Sequence, residues 1–108
     1  MNITDLVRAI ELDRVSVSEH AEQEAEADGL SLAEVYASVR CGEMIEHTPA
    51  KGRCLPKCLI YGQPPCGRHI HSVWAYNDHK QLAILITVYD PSESSCLWFD
   101  NYRKRRQI

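Results

Sequence analysis

Four polar side chains, His20, His71, Thr87 and Tyr89, are of the types that proton-transfer chemistry uses, and the run Arg103, Lys104, Arg105 and Arg106 adds cations. Cleaving RNA without a metal needs a base for the ribose 2′-OH, an acid for the leaving 5′-oxygen and positive charge against the phosphorane. Histidine, tyrosine and arginine fill those roles. The chain has no carboxylate cluster suited to magnesium, and no cofactor is expected. His20 falls near the start of a helix-forming stretch, where the dipole favours a neutral imidazole. The plainer reading makes His20 a surface residue and His71 a histidine bonded to a sheet neighbour.

A second set is Cys54-x3-Cys58-x7-Cys66-x2-His69-x-His71. Thiolate and imidazole are zinc ligands, but this spacing follows none of the common zinc patterns. Small hydrophobic cysteines in strands are the alternative, and no metal site is expected. The segment Trp98 to Arg106 sets aromatics before a basic run, which suits base stacking and phosphate contact, or equally a solvated tail.

A β-hairpin from His69 to Pro91 must position the first set. Its arms alternate His69, His71, Val73, Ala75 against Ile70, Ser72, Trp74, Tyr76, and Ala83, Leu85, Thr87, Tyr89 against Leu82, Ile84, Ile86, Val88. An odd-numbered loop puts Ile70, Trp74 and Tyr76 on a core face with Leu82, Ile84, Ile86 and Val88. His69, His71, Thr87 and Tyr89 then share the opposite, solvent-facing side. An even loop would bury the imidazoles among isoleucines, which is costly without partners, so the odd loop is expected.

Helical spacing comes before the hairpin. Asn2 can cap a helix running to about Asp13, Ser16 with Glu19 and Ser31 with Glu34 have capping-box spacing, and Gly29 and Gly42 stand where helices end. Glu43 to His47 reads as a short edge strand and Lys57 to Tyr61 as another. The expected fold is α+β, with two or three N-terminal helices on one face of an antiparallel sheet of about four strands.

The 108 residues make one domain, 1–108. Five cysteines with no apolar leader before them point to a reducing cytoplasm, and nothing is apolar enough to span a membrane. Charge is divided. Residues 1–50 hold eleven Asp/Glu against three Lys/Arg, a net of −8, and residues 51–108 hold four against nine, a net of +5. The basic half suits a phosphate-bearing ligand such as RNA.

Several short pieces, in order, resemble a bacterial family, the domain of unknown function numbered 4258. They are Ser18-Glu19-His20-Ala21, Gly42-Glu43-Met44-Ile45-Glu46 before Pro49, Cys58-Leu59-Ile60-Tyr61-Gly62, His71-Ser72-Val73-Trp74, Ile86-Thr87-Val88-Tyr89-Asp90-Pro91, and Trp98 before Tyr102 to Arg106. That family resembles in turn the RelE/ParE-like superfamily of RNase toxins. The resemblance implies a helix pair on an antiparallel sheet and a toxin-like ribonuclease role for His20, His71, Thr87 and Tyr89. It also implies a small antitoxin partner. The chain departs from the family where arginines usually follow the His-Ala pair, since here the helix reads AEQEAEADGL. A non-catalytic interaction domain of the same fold, binding zinc through its Cys/His region, is the alternative.

Overall fold

Asn2 starts the first helix by a reciprocal exchange: its side chain accepts the Asp5 N–H at 3.0 Å and the Asp5 carboxylate accepts the Asn2 N–H at 2.9 Å. The helix, α1 (Ile3–Glu11), buries Leu6, Ala9 and Ile10. The computed structural model describes residues 1–105, so Arg106 lies outside the described residues.

Where a helix beginning at Ser16 is expected, the chain first forms a strand, β1 (Val15–Val17). Valines are stiff at χ1 and favour extended backbone, and an open edge waits for them on the most apolar strand of the sheet. The cap moves on to Ser18, whose Oγ accepts the Ala21 N–H at 3.0 Å and donates to the Ile86 carbonyl at 2.9 Å. It starts α2 (Glu19–Ala27), which buries only Ala21 and Ala25 and exposes its acidic side. Gly29, left-handed at φ +67°, ends it, with Leu30 N–H on the Ala25 carbonyl at 2.8 Å. The Ser31–Glu34 capping box forms as expected and opens α3 (Leu32–Arg40).

Four longer strands follow: β2 (Glu43–Thr48), β3 (Lys57–Gly62), β4 (Ile70–Asn77) and β5 (Leu82–Tyr89). The order is β1-β5-β4-β3-β2. The sheet therefore has five strands and is mixed, because β1 runs parallel to β5 while every other pair is antiparallel. The strictly antiparallel, four-stranded sheet is corrected on both counts by the two valines. The helices cover one face. Leu6, Ala21, Ala25, Val35 and Val39 meet Ile60, Ile70, Trp74, Leu85 and Val88 there, and Trp74 Nε1 donates to Ser72 Oγ at 2.8 Å within that core. Among the described residues no helix is long and apolar enough to cross a membrane.

The hairpin loop is even, not odd. Asn77 pairs with Leu82, leaving the four residues 78–81. A bulge in β5 supplies the missing residue: Val73 pairs with Thr87 but Trp74 pairs with Leu85, so Ile86 is extra. Beyond the bulge His71 faces Tyr89 as expected, whereas before it the core takes Ala83 and Leu85 and leaves Leu82 and Ile84 half-buried on the far side. A 3-10 turn (Pro91–Leu97) then leads into a small hairpin, β6 (Trp98–Phe99) with β7 (Lys104–Arg105).

Candidate functional site

On the sheet face away from the helices, strand register brings together side chains that are far apart in the chain. Tyr61 of β3 pairs with His71 of β4, which pairs with Tyr89 of β5; Thr87 lies opposite Val73 on the same face. A second bulge, at Ile45, does the same for β2. Glu43 pairs with Tyr61 and Glu46 with Leu59, so two carboxylates three residues apart point the same way.

This face is roofed. Sequence reasoning leaves His71 facing solvent, but it is fully buried, because the C-terminal hairpin folds back over it. Trp98 meets the imidazole edge-on at 4.3 Å between centroids, and the Tyr102 ring lies 4.6 Å from that of His69. Arg103 stacks 5.0 Å over Tyr61 and bonds Glu43; Arg105 stacks 4.7 Å over Trp98 and grips Glu46 through Nε at 3.2 Å and Nη2 at 3.1 Å. The hairpin turns through three consecutive left-handed residues, Asp100, Asn101 and Tyr102, at φ +53°, +56° and +68°. Such backbone costs about 1–2 kcal/mol per non-glycine residue, offset here by ring stacking and two ion pairs.

Hydrogen bonding fixes the His71 tautomer. Nε2 lies 2.9 Å from the Tyr102 carbonyl, which can only accept, so Nε2 carries the proton; Nδ1, 3.2 Å from Tyr89 Oη, then accepts the phenol hydrogen. Burial holds the His71 pKa down to about 4, against a weaker upward pull from the Tyr102 carbonyl, and burial raises that of Tyr89. Between about pH 4 and 6.5 an unfolded chain binds a proton at this imidazole that the folded chain refuses. Stability should therefore fall on acidification from pH 7 to 4 by about 2–3 kcal/mol. Urea unfolding of the wild type and of His71→Asn at pH 7, 5.5 and 4 checks this; a wild-type slope no steeper than the variant's would refute a buried neutral imidazole.

The other expected site residues are placed unevenly. His20 is exposed on α2, in the helix layer, and among the described residues no hydrogen bond or ring contact links it to His71, Thr87 or Tyr89. Thr87 is half-buried on the site face. Arg103 and Arg105 stand over it, Lys104 lies 4.0 Å from Asp100, and Arg106 lies outside the described residues. Cys58 is in the core, where burial pushes its thiol up to about 12, while Cys54 and Cys66 are exposed. No three His, Cys, Asp or Glu side chains gather to hold a metal among the described residues.

Sequence reasoning missed Tyr61 and the two glutamates as parts of this site. Tyr61 shares a 2.7 Å hydrogen bond with His69 Nδ1 and lies edge-on to His71. The strand Lys57 to Gly62 is buried along almost its whole length, so alternation carries no signal of which face Tyr61 takes.

Compared with known families, residues 17–90 match the model described as Domain of unknown function (DUF4258). The chain belongs to this family. The match runs from the end of β1 to just past β5, so DUF4258 takes in His20, His71, Thr87 and Tyr89 and leaves the C-terminal hairpin outside the matched residues. No curated protein and no solved structure matches the chain.

Proposed function

We propose that this DUF4258 domain is a toxin-like, metal-independent ribonuclease that cleaves RNA by attack of the 2′-OH, acts in the cytoplasm and is held in check by a small antitoxin partner. The hydrogen-bonded His71–Tyr89 pair beneath Arg103 and Arg105 supports this reading most. The Tyr89 hydroxyl can turn its proton from His71 Nδ1 to a leaving oxygen, and guanidinium groups match the geometry and charge of a phosphate. Lys104 and Arg106 extend the basic run along the RNA backbone. His20 and Thr87 remain in the proposal as matched family positions, His20 from the helix layer.

With EDTA present, the full chain should cleave RNA to 2′,3′-cyclic phosphate and 5′-hydroxyl ends, and Tyr89→Phe should lower the rate about 100-fold. Cleavage abolished by EDTA, or products with 3′-hydroxyl ends, would overturn the mechanism. A second reading, an interaction domain of the same fold, is favoured by the roof itself, which covers His71 and pairs both arginines with carboxylates. Among the described residues its zinc-binding form has no gathered ligand set in its favour.

A further inference from the structure

Cleavage by 2′-OH attack needs two proton-transfer partners, and the sheet face supplies one from the expected set, Tyr89, because His20 belongs to the helix layer. His69 is the remaining imidazole on that face. It is half-buried where His71 is fully buried, its Nδ1 is engaged by Tyr61 Oη at 2.7 Å, and among the described residues nothing bonds its Nε2. It stands one residue before β4 and two before His71, which pairs with Tyr89, and its bond to Tyr61 sets it on the same face. Where β2, β3 and the C-terminal hairpin meet is a cavity of about 250 Å³ whose lining includes Gly42, Glu43, Tyr61, Gln63, Asn101 and Arg103, and Tyr61 joins it to His69. One wall carries a guanidinium and another the tyrosine that holds His69.

We propose that His69 is the base of the reaction, positioned by Tyr61, and that this cavity seats an RNA backbone phosphate against Arg103. The inference rests on the ribonuclease reading. His69 Nδ1–H donates to Tyr61 Oη, leaving the Nε2 lone pair to take the 2′-OH proton. The O2′–P bond forms, the P–O5′ bond breaks, and O5′ leaves with the Tyr89 hydroxyl proton, which turns to it from His71 Nδ1. Imidazolium and phenolate then return to neutral by proton exchange through water. Tyr61 is a positioning residue.

Two arms test this on the full chain. In the cleavage arm, with EDTA present, His69→Gln should lower the rate about 100-fold and remove from the pH–rate profile the limb that reports the base. Tyr61→Phe, which keeps the ring and its stacking, should lower the rate about tenfold and shift that limb, and His79→Ala, an exposed loop imidazole, should do neither. His69→Gln and Tyr61→Phe at wild-type rates, with Tyr89→Phe impaired, would overturn the assignment and leave the ribonuclease reading standing. A wild-type chain that cleaves nothing would overturn that reading and the base assignment together.

The binding arm is independent of activity. Inorganic phosphate should shift the amide resonances of Gly42, Gln63 and Asn101. Glu43→Gln, which releases Arg103, should tighten that binding roughly five- to tenfold, and Arg103→Gln should abolish it. Shifts absent from both wild type and Glu43→Gln, or unaffected by Arg103→Gln, would overturn the phosphate seat whatever the cleavage arm shows.

Discussion

Gly62→Ala should destabilise the domain by about 3 kcal/mol or more, at or beyond the upper end of ordinary overpacking. A Cβ at this position would lie 1.9 Å from the Ser38 carbonyl oxygen and under 3 Å from the Ser38 carbonyl carbon and Cα. These are backbone atoms in the last turn of α3 and cannot rotate aside, so helix and strand must part. Parting them loosens the packing of Val35 and Val39 on Ile60, all fully buried. A Cβ at Gly42 would lie 2.3 Å from the same carbonyl, and its φ is not in the left-handed region, so at the end of α3 glycine is required by close approach and not by a left-handed turn. Gly67→Ala is the matched comparison. Its Cβ would meet nothing within 4 Å, and the φ of +85° alone should cost about 1 kcal/mol. Urea unfolding of the two variants separates the effects; a Gly62→Ala loss no larger than that of Gly67→Ala would mean that α3 does not lie this close to β3.

Trp74→Ala should cost about 3–5 kcal/mol, as the largest fully buried side chain becomes a cavity and Ser72 Oγ loses its buried partner. Alternation in the sequence is enough to place Trp74 in the core. It also suggests that His71→Ala costs far less, and here the roof raises the expected loss without changing the order. Removing the fully buried imidazole strands the Tyr89 hydroxyl and the Tyr102 carbonyl, which should cost about 2–3 kcal/mol. Thermal or denaturant unfolding should therefore rank the two losses as large and intermediate. A His71→Ala chain as stable as wild type would show that the C-terminal hairpin does not close over the sheet in solution.

Features set by neighbouring residues were legible in the sequence. Asn2 as a cap, Ser31 with Glu34, the turn at Gly29, and strands β2 to β5 each depend on a few adjacent side chains. The misses share a different cause, long-range pairing. Val15 and Val17 become a strand only because β5 leaves an edge for them, and without that edge Ser16 is a plausible cap. Face assignment failed in part because each bulge shifts the period of two by one residue. Ile86 restores His71 to the side of Tyr89 after an even loop, and Ile45 turns Glu43 and Glu46 to one face when their spacing puts them on opposite faces. Neither isoleucine differs in type from a regular strand residue. For the same reason Tyr61 and His69 could not be joined from sequence: their contact depends on the register of β3 against β4.

On the proposed ribonuclease reading, the two glutamates of β2 would give the face a preference for long ligands. Each arginine already holds a carboxylate, so an arriving phosphate competes with an anion tethered beside it, and its apparent affinity drops by the fraction of time the arginine is released. A single phosphate must win that competition unaided. A strand with several phosphates meets the second arginine as a neighbour once the first has exchanged, at an effective concentration set by the spacing along its own backbone. On that reading mononucleotides would be excluded more strongly than oligomers, and β2 would select for chain length without reading a base.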